Sequence, residues 1–370
     1  MTALPPALSP YPPNQAPDDD VAVESTVRLD RNLAAYPFPW RAGAEDARAA
    51  AGALSEAAAC AGLELLAAVS LGPAGRDAAA ERGVASRAYL MDDERLLAFE
   101  RGRRAWLRFN DGAHCSVSCA AAGLDLTGPW AAASSIDDRL AASVAWAFDP
   151  EAGYIQADAL RCGSGLAACV RLHLPGLAMA GLLDGVFRKA LEAGFIIEGA
   201  YSARQTSAGS VYSVALPEAY REPEPASLDR LQRSVALIAE YERRARAELA
   251  ERRPLELGDL VGRAYGVARG ALLLGRDEAD ELVSALRLGL AEGLLTGLGM
   301  AETAELWLSL RMARGSRPEG SPADGGGPGG APARGAELRD DAGTPADGGD
   351  AAERARLLRD AAARLKPAKG

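Results

Sequence analysis

Glu24-Ser25-Thr26-Val27-Arg28-Leu29-Asp30-Arg31-Asn32-Leu33, followed two alanines later by Tyr36-Pro37-Phe38-Pro39, is the stretch on which the reading of this chain turns. Taken for its residues alone it leaves two options level. Arg28 and Arg31, three apart beside Val27 and Leu29, either hold an anion or face solvent. Working outward, residues 1–20 are proline-rich, end in Asp18-Asp19-Asp20, and predict a disordered leader. A globular pattern runs from 21 to about 252. Helical periodicity suits 43–70, 130–148 and 177–193. Ala98-Phe99-Glu100 and Ala105-Trp106-Leu107-Arg108-Phe109-Asn110 suit strands broken by turns, and 195–216 a hairpin or strand–loop–strand. A long charged helix is expected from Leu228 to Arg252, and a small helical domain over 253–313, with Asp277-Glu278-Ala279-Asp280 opening one of its helices. Residues 314–350, rich in Gly, Pro, Ala and Asp, predict a flexible insert before a terminal helix at 351–365.

The bulk properties narrow the function classes. The chain has 370 residues, 48% hydrophobic, enough for a substantial core and for two domains. A net charge of −10 and a pI of about 5.0 argue against a nucleic-acid binder, which needs a basic patch or stripe. Five cysteines are too few for a disulfide framework at this length. The N-terminus lacks the basic and apolar regions of a signal peptide, and no apolar run approaches the roughly 20 residues of a membrane span. A soluble, cytoplasmic protein is therefore expected.

Several residue groups invite a chemical reading. His114, Cys115 and Cys119 are soft metal ligands, but a structural zinc site usually closes with four, and ordinary packing is the better explanation. Gly163-Ser164-Gly165 could bring backbone amides to a phosphate, yet it lacks the Lys of a phosphate-binding loop and reads more simply as a turn. The charge run from Glu240 to Arg246 reads as a solvated helix face.

Taken jointly, the strings say more. The opening stretch resembles the Ser-Ser-Arg-Ile-Arg-Leu-Ala-Arg-Asn…Pro-Phe-Pro string of bacterial protein arginine kinases, within the ATP:guanido phosphotransferase (phosphagen kinase) family. Asn110 to His114 resembles that family's Asn-Glu-Glu-Asp-His, and Gly123-Leu124-Asp125-Leu126 follows at its spacing. Ala147-Phe148-Asp149, Gly153-Tyr154-Ile155, Gly163-Ser164-Gly165-Leu166 and His173-Leu174-Pro175 continue the match. Arg263, Tyr265-Gly266 and Leu286-Arg287-Leu288-Gly289 extend it to about residue 313. The resemblance implies an α+β fold, a large antiparallel sheet flanked by helices with a small helical C-terminal domain. It also implies a cleft where arginines clamp the phosphates of magnesium ATP while carboxylates and a cysteine orient a guanidino group.

The same alignment strips that cleft. Of the clamp arginines only Arg28 remains; Thr26, Ser116, Ala167 and Glu198 replace the others. The catalytic Glu falls on Gly112, beside a surviving acid at Asp111. The substrate cysteine falls on Asp158, and a loop Glu on Ala203. Each lost charge-assisted hydrogen bond removes about 1.5–3 kcal/mol, while a micromolar site needs about 8 kcal/mol in all. A pseudokinase with a regulatory or binding role is the first expectation, with no cofactor. Its partner would be an active arginine kinase, a protease adaptor or an arginine-bearing protein. The alternatives are an active kinase using magnesium ATP, with the clamp rebuilt from Arg161, Arg171 or Arg204, and a guanidinium sensor using Asp111, Asp158 and Glu198. Arg354-Ala355 matches the end of a family tail motif tied to self-association, so a homo-oligomer is a further option.

Overall fold

The computed structural model describes residues 16–102, 104–199, 207–217, 222–313 and 348–368. Strand β1 (Ala22–Arg31) opens the fold, followed by helix α1 (Ala44–Cys60), strand β2 (Glu64–Ala67) and helices α2 (Gly72–Glu81) and α3 (Arg87–Met91). Strands β3 (Leu96–Phe99), β4 (Ala105–Phe109) and β5 (Cys115–Ala122) lead to helix α4 (Thr127–Ala141). A small ladder of β6 (Phe148–Asp149) and β7 (Gly153–Tyr154) precedes β8 (Leu166–His173), α5 (Pro175–Met179), α6 (Leu183–Glu192), β9 (Ile196–Gly199) and β10 (Val211–Ala215). The C-terminal part holds α7 (Glu224–Arg252), α8 (Pro254–Gly270), α9 (Arg276–Ala291), β11 (Leu295–Thr296), α10 (Met300–Met312), α11 (Gly348–Ala362) and β12 (Lys366–Pro367).

Eight strands form one sheet in the order β2-β3-β4-β5-β1-β8-β10-β9, every neighbouring pair antiparallel. This is the expected α+β architecture. Alternation along β1 decides its two faces. Val27 and Leu29 join Val117, Ala168, Val170 and Val214 in the main core, closed by Leu54 of α1, Ile136 of α4 and Leu231 and Val235 of α7. Each of the Val, Leu and Ile side chains contributes about 1.5–3 kcal/mol by leaving water. Glu24, Thr26, Arg28 and Asp30 face the other side. There a smaller core of Tyr89, Leu90, Leu97, Phe99 and Trp106 covers only one end of the sheet. A third core, around Trp307, Val261, Leu286 and Leu358, unites α8, α9, α10 and α11.

Several expected elements shift for local reasons. The helix expected over 43–70 stops at Cys60, because Gly62 takes φ 75 and the N–H groups of Gly62 and Leu63 cap it through Ala59 O and Ala58 O. Gly181, at φ 71, splits the helix expected over 177–193 into α5 and α6 in the same way. The helix expected over 130–148 runs earlier, as α4, and Phe148 lies in β6. Within 195–216, β9 pairs antiparallel with β10, and residues 200–206 between them lie outside the described residues. The expected leader is anchored from residue 16 onward: Arg243 pairs with Asp18 at 2.7 Å and Asp20 at 2.5 Å, and Leu124 N–H donates to Pro17 O at 2.8 Å.

Residues 314–347 of the expected insert lie outside the described residues. The terminal helix docks on its own chain: Leu274 N–H donates to Ala351 O at 3.1 Å, Arg354 Nε to Leu274 O at 2.9 Å, and β11 pairs with β12. The run Glu240–Arg246 is not wholly a solvated face. Arg243 and Arg244 are exposed, but Glu242 and Arg246 are almost completely buried and bond each other at 2.6 Å. Among the described residues no helix is long and apolar enough to cross a membrane.

Candidate active-site face

Strand register brings together the positions expected from the alignment to form a clamp. On β1, Thr26 stands opposite Ala120 of β5 and Cys169 of β8, and Arg28 opposite Ser118 and Ala167. Asp30 stands opposite Ser116, itself opposite Arg108 of β4. Glu24 stands opposite Arg171, which pairs with Ser213 of β10, whose other partner is Glu198 on the edge strand β9. Directly opposed residues of antiparallel strands share a face. Thr26, Arg28, Ser116, Ala167 and Glu198 therefore lie on one polar face, beyond the apolar cover of α2 and α3. Ala203 and Arg204 lie outside the described residues.

The charges on this face are already engaged. Asp30, 9% exposed, accepts Ser116 Oγ–H at 2.6 Å and Arg28 Nε–H at 3.1 Å, and Arg161 reaches it at 3.9 Å. Glu24 lies 3.5 Å from Arg104 and 3.6 Å from Arg171, and accepts Thr26 Oγ1–H at 3.3 Å. Asp111, in the β4–β5 hairpin, pairs with Arg108 at 3.1 Å. Sequence reading missed Asp30, Glu24, Arg104 and Arg108. The signal was present: the family string carries Ala at the position of Asp30 and Ser at that of Glu24. Gly112 sits in the same hairpin with open space where a Cβ would stand, so a Cβ there would meet no obstruction.

The other candidates resolve into structural roles. Arg31, 2% exposed, pairs with Asp137 of α4 at 2.7 Å, donates to Ser164 O at 2.9 Å and lies 3.5 Å from the Tyr154 ring centre. It is a packing residue, while Arg28 belongs to the polar face. Both ring nitrogens of the buried His114 are engaged, Nε2 with Pro37 O at 3.1 Å and Nδ1 with Leu33 N–H at 3.3 Å, and burial pushes its pKa down. Cys115 and Cys119 are buried on the core side of β5, and burial pushes the Cys115 thiol far up. Among the described residues no cluster of His, Cys, Asp or Glu is placed to hold a metal.

Asp158 is exposed and its carboxylate caps its own turn, accepting Leu160 N–H at 2.9 Å. Asp111, Asp158 and Glu198 thus sit on three different loops or strands, each with its own surroundings, and share no bonded partner among the described residues.

Gly163-Ser164-Gly165 is a turn that seals the end of β1. Gly165 takes φ 65, its carbonyl accepts Asp30 N–H at 2.8 Å, and a Cβ would fall 2.5 Å from Asp30 O. Gly165→Ala is expected to cost at least about 1–2 kcal/mol from the left-handed backbone alone, read as a lowered urea midpoint. An unchanged midpoint would show that the turn relaxes freely.

The chain is similar in sequence and fold to known proteins. A family model for the ATP:guanido phosphotransferase C-terminal catalytic domain matches residues 63–245. A protein-arginine kinase of Desulforamulus reducens is 30% identical over 313 residues, covering 82% of this chain and 88% of that one. One from Symbiobacterium thermophilum is 27% identical over 305 residues, covering 80% and 86%. Among solved structures, a lombricine kinase aligns with a TM-score of 0.53 at 16% identity, covering 66% of this chain and 72% of that chain. A duplicated taurocyamine kinase from Schistosoma mansoni gives 0.53 at 16%, covering 68% and 39%.

Proposed function

The chain belongs to the ATP:guanido phosphotransferase family, and from that premise we propose that it is a protein-arginine-kinase-like pseudokinase, acting by binding rather than by efficient phosphoryl transfer. One observation carries the reading: Arg28, the single retained clamp arginine, faces Ala167 and Ser118 and is held by Asp30. The residues present do not fit an ATP triphosphate. Phosphoryl transfer depends on charge neutralisation around the phosphates, and Thr26, Ser116 and Ala167 offer none. The exposed Glu198 adds a repelling charge, and Gly112 supplies no catalytic carboxylate. The partners proposed are proteins: an active arginine kinase, a protease adaptor or a target bearing exposed arginine.

A second reading has its own observation. Arg104, Arg108, Arg161 and Arg171 lie around the same face, so a rebuilt clamp has cations to draw on. Calorimetric titration with magnesium ATP separates the two. The pseudokinase reading expects no heat at millimolar nucleotide and no phosphate transferred to protein arginine. Micromolar binding lost in Arg28→Ala, together with arginine phosphorylation, would establish the active kinase instead. The guanidinium sensor lacks comparable support, because Asp111 is paired with Arg108 and Asp158 caps its own turn.

A further inference from the structure

We infer that Asp30 is a built-in occupant of the phosphate clamp: its carboxylate holds Arg28 and the Ser116 position in place of an external polyphosphate, and so sets the specificity of the cleft against such ligands. The inference rests on the family reading above and identifies the residue that closes its site. Ser116 and Arg28 are both clamp positions by alignment, on adjacent strands of one face. A single carboxylate bridges them, with Oδ1 on the Ser116 hydroxyl at 2.6 Å and Oδ2 on Arg28 Nε at 3.1 Å. The Arg161 guanidinium, 41% exposed, stands 3.9 Å from the same Oδ2, at the solvent side. Hydroxyl, guanidinium and a second guanidinium converging on one pair of oxygens is the donor set that a phosphate oxygen takes. Here the anion comes from the chain itself.

Asp30 is little exposed, so water screens its charge weakly, and an incoming phosphate meets both a repelling carboxylate and arginines already neutralised. The carboxylate opposes binding twice, by occupancy and by sign. Removing its charge therefore opens the site without adding any arginine. Asp30→Asn is the conservative way, because the amide oxygen still accepts the Ser116 hydroxyl while Arg28 and Arg161 lose the charge of this carboxylate.

Glu24 provides the control. It lies on the same strand and face, is equally buried, and contacts two arginines at 3.5 Å and 3.6 Å. Arg104 and Arg171 are not clamp positions by the family alignment, although Arg171 is a candidate in the rebuilt-clamp alternative, so Glu24→Gln changes the net charge equally while leaving the Asp30 carboxylate on Arg28 and Ser116.

The test is calorimetric titration of full-length wild type, Asp30→Asn and Glu24→Gln with inorganic tripolyphosphate and, separately, with magnesium ATP. Asp30→Asn is expected to bind tripolyphosphate at least about tenfold more tightly than wild type. Adding Arg28→Ala should erase the gain, and Glu24→Gln should show none. Equal gains with both probes place recognition in the phosphate chain; a larger gain with magnesium ATP adds a nucleoside contact to the same site. If Asp30→Asn does not fold, Asp30→Ala, with the residue of the family string, replaces it. A folded Asp30 variant with no gain overturns the inference, as does an equal gain from Glu24→Gln, which would reveal a general field effect. Tight binding of magnesium ATP by wild type overturns the parent reading instead, so the two failures are distinguishable.

Discussion

Glu242→Gln is expected to lower the free energy of unfolding by about 3–5 kcal/mol, among the largest single-residue effects this chain offers. Glu242 is fully buried, and each of its carboxylate oxygens is used. Oε1 accepts Gly176 N–H at 2.8 Å and Arg246 Nε–H at 2.6 Å, and Oε2 accepts Leu177 N–H at 2.8 Å. The carboxylate thereby caps the start of α5 and neutralises an arginine that is 2% exposed. Gln must turn an N–H donor toward one of those donors, and it leaves the buried Arg246 guanidinium with the Asp20 carboxylate, 3.6 Å away, in place of its 2.6 Å partner. Gly176 shows how close the fit is, since a Cβ there would meet Glu242 Oε1 at 2.9 Å and Arg246 Cγ at 2.8 Å. Urea unfolding of wild type and variant measures the loss. The double variant Glu242→Leu with Arg246→Met should recover part of it, because apolar replacement of both partners removes the buried charges, while the Gly176 and Leu177 N–H groups still lose their acceptor. A Glu242→Gln midpoint within about 1 kcal/mol of wild type would mean that water already reaches the pair.

That residue also marks where sequence reading runs short. Glu240 to Arg246 alternates charges at helical spacing, and nothing local distinguishes Arg243 and Arg244, which are exposed, from Arg246, which is buried. The distinction comes from α5, brought against α7 by the chain after β8, and such non-local packing leaves no periodic trace. The sheet was legible because family strings fall on its strands and on the turns that need glycine, as at Gly165. The positions that the alignment expects to form a clamp come from the same strings, and register sets them on one face. The acids were not, because Asp30 and Glu24 are ordinary as residue types. Their meaning appears only when strand pairing sets Asp30 opposite Ser116 and Glu24 opposite Arg171. Losses at a site are read by aligning the residues that act; an occupant is read only by asking what the remaining arginines touch.

The rim of that face is tied to the helical part of the chain. Arg82, just after α2, forms a two-pronged pair with Glu305 of α10, with contacts at 2.9 Å and 3.3 Å. Glu81 takes Arg311 of α10 at 3.3 Å and Arg276 of α9 at 3.4 Å. Arg311 in turn donates to Asp280 of α9 at 2.8 Å, and Asp280 also accepts Trp307 Nε1–H at 2.9 Å. Charge pairs therefore join α2 and the residue after it to α9 and α10, and the buried Asp280 gives the junction a pH dependence.

Asp280→Asn should change how stability depends on pH, by about 3 kcal/mol between acid and neutral conditions. Burial pushes the Asp280 carboxyl up to about 6, against the opposing pull of Arg311, the Trp307 N–H and Arg276. Its value in the unfolded chain is the ordinary one, near 3.9. A raised carboxyl pKa means that the folded chain binds the proton more tightly than the unfolded chain. The stabilisation from this proton is complete below the unfolded value and is lost as pH rises through about 6. At pH 7.5 wild type therefore carries the full cost of a buried charge, and the Asn variant, which cannot ionise, does not. Asn still accepts Trp307 Nε1–H, and Arg311 keeps Glu81. The stability of the variant minus that of wild type should rise from pH 4 to 7.5 and level off above about 6.5, measured by paired urea titrations across that range. Taking the difference cancels the carboxylates that behave oppositely, such as Asp20, where burial pushes the pKa up but pairing with Arg243 and Arg246 holds it down on balance. A difference that stays flat across the range would show that Arg311 keeps Asp280 ionised throughout, and that the junction is insensitive to pH at this carboxylate.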